Sequence, residues 1–219
     1  MASDFLQRFK YGIFDQDGTL VDSMPAYAQT FAQILDQFGI DDDASRDFYR
    51  STCGTPLPTQ FKKLLENNGF RLSGAEIQQL YERFFKTVEK APPSAFQGVK
   101  QMLHELRGRD MSLFVTTGTK NPQEILHALD LGRYFLKIMG TSQIDKGPEH
   151  IHEFAKAAKV EVTDFCSAAF LASDGPADMA LARKMCIYPI GVAQTVSPDL
   201  LIRAGAKEVV VKVTDLLYL

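Results

Sequence analysis

From about residue 96 onward the chain alternates short apolar runs with stretches patterned for helix, and that alternation leaves few folds open. Leu113-Phe114-Val115, Ile138-Met139, Ala168 to Ala172, Ile187 to Val192 and Val209-Val210-Val211 read as strands. Between them, Val99, Met102, Leu103 and Leu106 recur at helical spacing up to Gly108, and Asn121-Pro122 opens a second helix with Asn as N-cap and Pro at the first helical position. Pro148 to Ala158, Ala177 to Met185 and a stretch opened by Ser197-Pro198 supply three more. Apolar strands separated by helices in this way predict an α/β fold, a parallel sheet covered on both faces. The 45% hydrophobic content of the 219 residues is enough to fill such a core.

The first strand of the series, Lys10 to Phe14, is separated from the others by an all-helical block at residues 22–93. Phe31, Ile34, Leu35 and Phe38 form one apolar stripe that stops at Gly39. Phe61, Leu64 and Leu65 form another, and Ile77, Leu80, Tyr81, Phe84, Phe85 and Val88 a third that ends before Pro92-Pro93. The block therefore reads as a helical insert, with hinges near Val21 to Pro25 and Pro92 to Gln97.

Charge and composition exclude several partners. The net charge of −3 and the lack of a basic run argue against a nucleic acid or an anionic membrane, which are bound by clustered Lys and Arg. No apolar run is long enough to span a bilayer, and the polar, mixed-charge Met1 to Lys10 does not read as a signal peptide. Cys53, Cys166 and Cys186 are odd in number and far apart, which predicts free thiols and, by default, a cytoplasmic location. Oligomeric state and natural substrate leave no mark in the sequence.

The residues able to do chemistry fall at the predicted strand ends. Phe14-Asp15-Gln16-Asp17-Gly18-Thr19-Leu20 follows the first strand. Side chains two apart in an extended segment point the same way, so Asp15 and Asp17 are expected to face one pocket beyond the carboxyl edge of the sheet. Gly18 is expected to allow a sharp exit with backbone N–H groups free for an anion. Leu171-Ala172-Ser173-Asp174-Gly175-Pro176-Ala177-Asp178 places two further carboxylates at a strand-to-helix junction. Oxygen ligands of this kind suit a hard divalent ion, although a turn residue and an acid complementing a helix N-terminus would look the same. Thr116 with Thr117-Gly118-Thr119 offers a hydroxyl and a loop able to turn N–H groups toward phosphate, and Lys146 offers a cation just before a helix. His150 and His152 are two apart on a predicted helix and make a poor metal pair, and His104 and His127 read as surface or packing residues.

In this order the four features resemble the four motifs of the haloacid dehalogenase superfamily, over nearly the whole chain. The resemblance is to the phosphoglycolate phosphatase and beta-phosphoglucomutase-like group. It implies a Rossmann-like core at residues 1–21 and 96–219 with a helical cap at 22–95. It further implies a hydrolase that removes phosphate from a small phosphorylated metabolite with the help of Mg2+. Asp15 would be the nucleophile that forms an aspartyl-phosphate, and Asp17 the general acid and base. Thr116 and Lys146 would hold the transferring group, and the metal would be served by Asp15, Asp174, Asp178 and the backbone carbonyl of Asp17. Ser51-Thr52-Cys53-Gly54-Thr55-Pro56 resembles the substrate-facing cap loop of such phosphatases, with Thr52, Gly54 and Thr55 as its contacts. Three positions depart from the common pattern: Ser173 stands where Gly is usual, Thr116-Thr117-Gly118-Thr119-Lys120 lacks the usual Asn, and Gly147-Pro148-Glu149 replaces Pro-x-Pro after Lys146. A mutase of the same superfamily usually has His where this chain has Tyr27, and a catalytically idle module would be expected to have lost at least one of Asp15, Asp17 and Asp174.

Overall fold

The computed structural model describes residues 4–52, 55–88, 94–142 and 144–219. Strand β1 (Tyr11–Phe14) is followed by β2 (Val21–Asp22) and four helices, α1 (Met24–Leu35), α2 (Asp42–Ser51), α3 (Leu57–Asn67) and α4 (Gly74–Val88). The chain continues through β3 (Ser94–Ala95), α5 (Val99–Gly108), β4 (Ser112–Thr116), α6 (Pro122–Ala128) and β5 (Phe135–Met139). It ends with α7 (Pro148–Ala158), α8 (Val162–Ser167), β6 (Ala169–Ser173), α9 (Pro176–Lys184), β7 (Tyr188–Val192), α10 (Pro198–Ala204) and β8 (Glu208–Val210).

Six strands form one parallel sheet in the order β5-β4-β1-β6-β7-β8. The chain builds outward from β1 through β4 and β5, then crosses to the other side and builds outward again from β6. That reversal puts a crevice at the carboxyl ends of β4, β1 and β6, where ligands bind in open α/β sheets. Alternate side chains enter opposite layers. Ile13, Phe114 and Leu171 pack under α7 to α10, whereas Phe14, Val115 and Ala172 face α5 and the C-terminal 3-10 turn.

The four helices between β2 and β3 enclose a cluster of their own. Phe31, Phe61 and Phe84 are fully buried there, and the Phe31 and Phe61 rings stack with centroids 4.7 Å apart. The two chain crossings lie side by side. β2 pairs antiparallel with β3, and the Phe96 N–H donates to the Leu20 carbonyl at 3.1 Å.

The strand and helix expectations hold to within a residue or two at most ends, and Gly39 ends its stripe in the left-handed conformation. Asn121 occupies the N-cap position of α6 but makes no side-chain capping hydrogen bond. α2 has no stripe to read because it buries only Ser45 and Tyr49. It is fixed by Asp41, which accepts from the Ala44 N–H at 2.9 Å, and by Arg46 reaching Asp42 and Asp43. Among the described residues no helix is long and apolar enough to cross a membrane.

Phe61 contacts the aromatic rings of Phe31 and Phe84, both from the insert. Phe61→Ala should therefore cost about 3–5 kcal/mol, the usual range for a buried aromatic. The loss should be local: hydrogen exchange should accelerate in α1 to α4 and leave β1, β4 and β6 protected. Uniform acceleration across the sheet would show that the two cores unfold as one.

Candidate active site

The sequence motifs meet at the carboxyl edge of the sheet. Asp15 follows β1 and its N–H donates to the Ala172 carbonyl at 3.0 Å, which extends the pairing with β6 by one residue. Thr117 follows β4, Lys146 lies in the loop between β5 and α7, and Asp174 follows β6. Asp15, Asp17, Thr117, Gly118, Lys146 and Asp174 line one cavity of about 310 Å³, with Tyr27, Thr55 and Tyr81 contributed by the insert.

Asp15 has one ionic partner and two neutral ones. Lys146 Nζ donates to Asp15 Oδ1 at 3.0 Å and to Asp178 Oδ2 at 2.7 Å. The Gln16 N–H also donates to Asp15 Oδ1, at 2.8 Å. The Ser173 hydroxyl lies 2.5 Å from Asp178 Oδ2 and 3.2 Å from Asp15 Oδ2, and accepts the Gly175 N–H at 2.9 Å. Asp174 is held separately. Its N–H donates to the Thr19 hydroxyl, and its carboxylate accepts from Thr19 and Thr195.

Asp15, Asp174 and Asp178 are 5%, 1% and 2% exposed, and among the described residues Lys146 is the cation that pairs with this group. Burial, opposed by Lys146 and reinforced by Asp178, Asp174 and Asp17, pushes the Asp15 carboxyl well above its usual range. Burial likewise pushes Asp174 up to about 7, against Thr195 and Lys146. For Lys146 burial acts downward, but Asp15 and Asp178 outweigh it and keep the ammonium above its usual range. Three buried carboxylates facing one ammonium leave an excess of negative charge. That excess, and an all-oxygen donor set, fit a hard divalent cation. Among the described residues no three acidic, imidazole or thiol groups converge at one metal-binding point. A magnesium site does not require that, since one or two carboxylates, water and substrate phosphate complete its shell.

Asp17 is held by hydroxyls. Its Oδ1 accepts from Ser23 at 2.8 Å, and its Oδ2 accepts from Thr119 at 2.6 Å and Thr117 at 3.2 Å. The Tyr27 hydroxyl is a further hydrogen-bond partner. The two acids expected to share a pocket do so, but in opposite surroundings.

Several expectations need correction. Thr116 does not reach the cavity. It has the strand parity of Phe114 and so points toward α7, where it is fully buried with its hydroxyl 2.8 Å from His150 Nδ1. Thr117, one residue on, provides the hydroxyl at the cavity. The Gly18 N–H is not free for an anion, because it donates to the Val21 carbonyl at 2.8 Å. Gly18 is needed for its left-handed φ of 78° and for space, since a Cβ there would sit 2.1 Å from Asp174 Oδ2. The Thr52 hydroxyl turns back to the Phe48 carbonyl at 2.7 Å, inside the insert. Thr55 faces the cavity, and Gly54 and Cys53 lie outside the described residues. Asp178 is engaged by Lys146 and Ser173 through the same oxygen.

Sequence reasoning passed over His150. Its Nε2 lies 3.2 Å from the Ile144 carbonyl while Nδ1 meets Thr116, so the ring ties the end of β4 to the loop that delivers Lys146. Burial lowers its pKa, which favours a neutral ring that donates from Nε2 and accepts at Nδ1. The signal was available, because a His four residues after Lys146 and within the first turn of a helix lies close to that lysine.

A six-stranded parallel sheet, an insert after its first strand, and acids at the ends of β1 and β6 define a recognisable class. Residues 12–192 match the haloacid dehalogenase-like hydrolase family, and the chain belongs to it. It is 26% identical over 155 residues to a phosphoglycolate phosphatase from Photorhabdus laumondii, a match covering 68% of this chain and 66%, just under two thirds, of that protein. A hydrolase from Pseudomonas syringae has a similar structure, with a TM-score of 0.81 at 22% identity over 95% of this chain and 96% of the other. A beta-phosphoglucomutase from Clostridium difficile shares the fold too, with a TM-score of 0.78 at 18% identity over 95% and 93% of the two chains.

The charge excess has a consequence for stability. The Asp174 pKa of about 7 lies above its ordinary 3.8, so the folded protein binds this proton more tightly than the unfolded chain does. Its contribution is fully present below the ordinary value and is lost as pH rises toward 7. In excess chelator, Asp174→Asn should match the wild type in Tm near pH 4 and exceed it at pH 8. A Tm difference that does not change with pH would contradict this.

A second test concerns His150. His150→Ala should lower kcat about 10- to 100-fold while leaving the overall fold intact, and His150→Asn, which keeps a donor and an acceptor, should recover part of the loss. Circular dichroism and steady-state kinetics together check it. Unchanged kcat in both variants would make the ring a packing residue only.

Proposed function

We propose that the protein is a magnesium-dependent phosphatase that hydrolyses a small phosphorylated metabolite through an aspartyl-phosphate on Asp15. The observation that carries this reading is the contrast between the two acids. Asp15 lies at the carboxyl end of β1 with the Lys146 ammonium on one oxygen, whereas Asp17, two residues on, turns to the seam with the insert and is held there by the Ser23 and Thr119 hydroxyls. Membership of a hydrolase family and a relative named as a phosphoglycolate phosphatase support it. The chain thus takes its place among phosphoric monoester hydrolases, and a cytoplasmic location suits a metabolite substrate.

An Asp15 oxygen attacks phosphorus as the ester P–O bond breaks. Asp17 gives its proton to the departing alkoxide. Lys146, the Thr117 hydroxyl and the Gly118 N–H are assigned to the equatorial oxygens, where they offset the charge of a carboxylate approaching a phosphate. Asp17, now ionised, takes a proton from water as that water attacks phosphorus. The bond to Asp15 breaks, and inorganic phosphate leaves. Asp15, Asp174 and the backbone carbonyl of Asp17 are the groups that would hold magnesium, which when bound supplies charge compensation and polarises the phosphoryl oxygens. We assign Asp178, despite its place in the motif, to anchoring Lys146. The insert acts as a lid, with Thr55 as its polar contact to substrate.

A mutase is the second reading, favoured by the shared fold of the Clostridium difficile enzyme. Against it, Tyr27 occupies the insert position facing Asp17 and offers no imidazole for proton transfer. Steady release of inorganic phosphate from a monoester, abolished by chelator, separates the phosphatase from a mutase and from an idle module.

The division of labour has a kinetic signature. Asp15→Asn should cleave no ester. Asp17→Asn should slow an alkyl phosphate by about 100- to 10,000-fold, the usual worth of general acid–base help. An activated aryl phosphate needs little protonation, so its first step should survive while the second lacks its base. Rapid mixing should show a burst approaching one aryl leaving group per site, followed by slow turnover. Equal losses on both esters and no burst would remove Asp17 from this role.

A further inference from the structure

A second, larger cavity of about 770 Å³ opens beside the catalytic one, between α4 of the insert and α6 of the core. Tyr27, Tyr81, Phe85, Thr119 and Lys120 line both, so the two are chambers of one space. The junction falls at the proposed proton donor, because two of the shared residues, Tyr27 and Thr119, are hydrogen-bonded to Asp17. A leaving group that takes its proton from Asp17 is therefore aimed at the second chamber.

The walls of that chamber are apolar. Tyr81, Phe85 and Val88 come from α4, and Ile125, Ala128 and Leu129 from α6 and the residue after it. The Tyr81 and Phe85 rings meet edge to face at 4.9 Å, which gives a rigid aromatic wall. Charged groups are confined to exposed positions: Glu82 and Lys86 on one side, Lys120 and Glu124 on the other. Cavities that hold drug-sized ligands run from about 300 to 1,000 Å³ and combine an apolar wall with placed polar groups, which here stand at the rim and at the junction. A two-carbon or three-carbon alcohol would leave this chamber almost empty, and a sugar would find partners at the rim, on Glu82, Lys86, Lys120, Asn121 and Glu124, but none along Phe85, Val88, Ile125, Ala128 and Leu129.

We propose that the substrate is a phosphate monoester whose alcohol carries a large apolar, ring-bearing body, and that the α4–α6 chamber seats that body. The proposal rests on the phosphatase reading above and narrows it.

Primary-alcohol esters of similar leaving-group acidity test it, because differences among them report the body and not the chemistry. The probes are 2-naphthylmethyl phosphate, benzyl phosphate, ethyl phosphate and 2-phosphoglycolate, assayed with magnesium. kcat/KM should rise from ethyl to benzyl to naphthylmethyl by about 100-fold in all, since each added apolar group in a fitted pocket is worth about tenfold or more. Ala128→Trp, an exposed position that fills the chamber without disturbing the core, should shrink the naphthylmethyl-to-ethyl ratio at least tenfold. Equal kcat/KM across the series, a preference for 2-phosphoglycolate, or an unchanged ratio in Ala128→Trp would overturn the proposal and leave the phosphatase reading standing. Binding separates the reverse case. In Asp15→Asn, which cannot turn over, naphthylmethyl phosphate should bind by fluorescence titration at least tenfold tighter than ethyl phosphate competes, and Ala128→Trp in that background should weaken it. That result without turnover of any ester by the wild type would uphold the chamber and sink the phosphatase reading, and absence of binding would overturn the chamber.

Discussion

The ammonium of Lys146, shared between Asp15 and Asp178, is the interaction on which the rest of the site depends. β1 lies between β4 and β6, so the peptide that follows it emerges into a buried position with little water to solvate a carboxylate. Asp174 arrives there as well, because β6 is the neighbour of β1, and Asp178 follows one turn into α9. The topology thus concentrates negative charge where desolvation is most costly, and one lysine from a separate loop offsets part of it. Much of the surrounding structure keeps that lysine in place: His150 holds its loop to β4, and Ser173 orients Asp178. Ser173 fits this pattern, since its hydroxyl accepts one backbone N–H and lies within reach of both acids.

The second acid depends on a different set of contacts. Ser23 and Tyr27 reach Asp17 from the start of the insert, while Thr117 and Thr119 reach it from the loop after β4. Asp17 therefore stands at the seam between core and insert, and a displacement of α1 would exchange its partners. Tyr81 strengthens the same seam: it is hydrogen-bonded to Thr141, whose hydroxyl donates to the Gly118 carbonyl in the loop after β4. Gly140 lets that loop close, because a Cβ there would lie 2.4 Å from the Thr119 carbonyl. Insert position and acid orientation are coupled by hydrogen bonds to Asp17, and among the described residues no ion pair joins insert to core.

Most of the fold was legible because it rests on periodicity. The strand runs are apolar enough to be buried on both faces, and the insert stripes end at Gly39 and the Asn67-Asn68-Gly69 turn. α2 escaped because its stability comes from a capping acid and surface ion pairs, and β2 and β3 because two-residue strands carry no period. In the site, Asp15, Asp17, Lys146 and Asp174 were found because acids and a cation at strand ends are chemically conspicuous. The error at Thr116 came from counting residues after an apolar run without following which face each takes: Phe114 and Thr116 share a face, so the hydroxyl at the cavity had to be Thr117. Gly18 and Asp178 show a different limit. Which acceptor an N–H finds, or which of two neighbours a carboxylate meets, is decided by tertiary contacts that no spacing encodes.

On the proposed reading, the two chambers divide recognition by chemistry. The smaller one carries Asp15, Asp17, Lys146 and Asp174 on its core side and Tyr49, Leu57 and Phe84 on its insert side, and its core side is the part proposed to take the phosphoryl group that every monoester shares. The larger one is bounded by α4 and α6, neither of which carries a catalytic residue. Exposed side chains that line the larger chamber and not the smaller one, such as Lys86, Glu124 and Ala128, can vary without altering the spacing of Asp15, Lys146 and Asp174. On that reading the wall they share, with Tyr27 and Thr119 on Asp17, ties the choice of alcohol to proton transfer. A body that fills the larger chamber would press on the residues that orient the acid, whereas a small one would leave them unloaded. Selectivity in such an arrangement would fall on kcat as well as on KM, because binding energy from the remote body is spent in placing the leaving oxygen against Asp17.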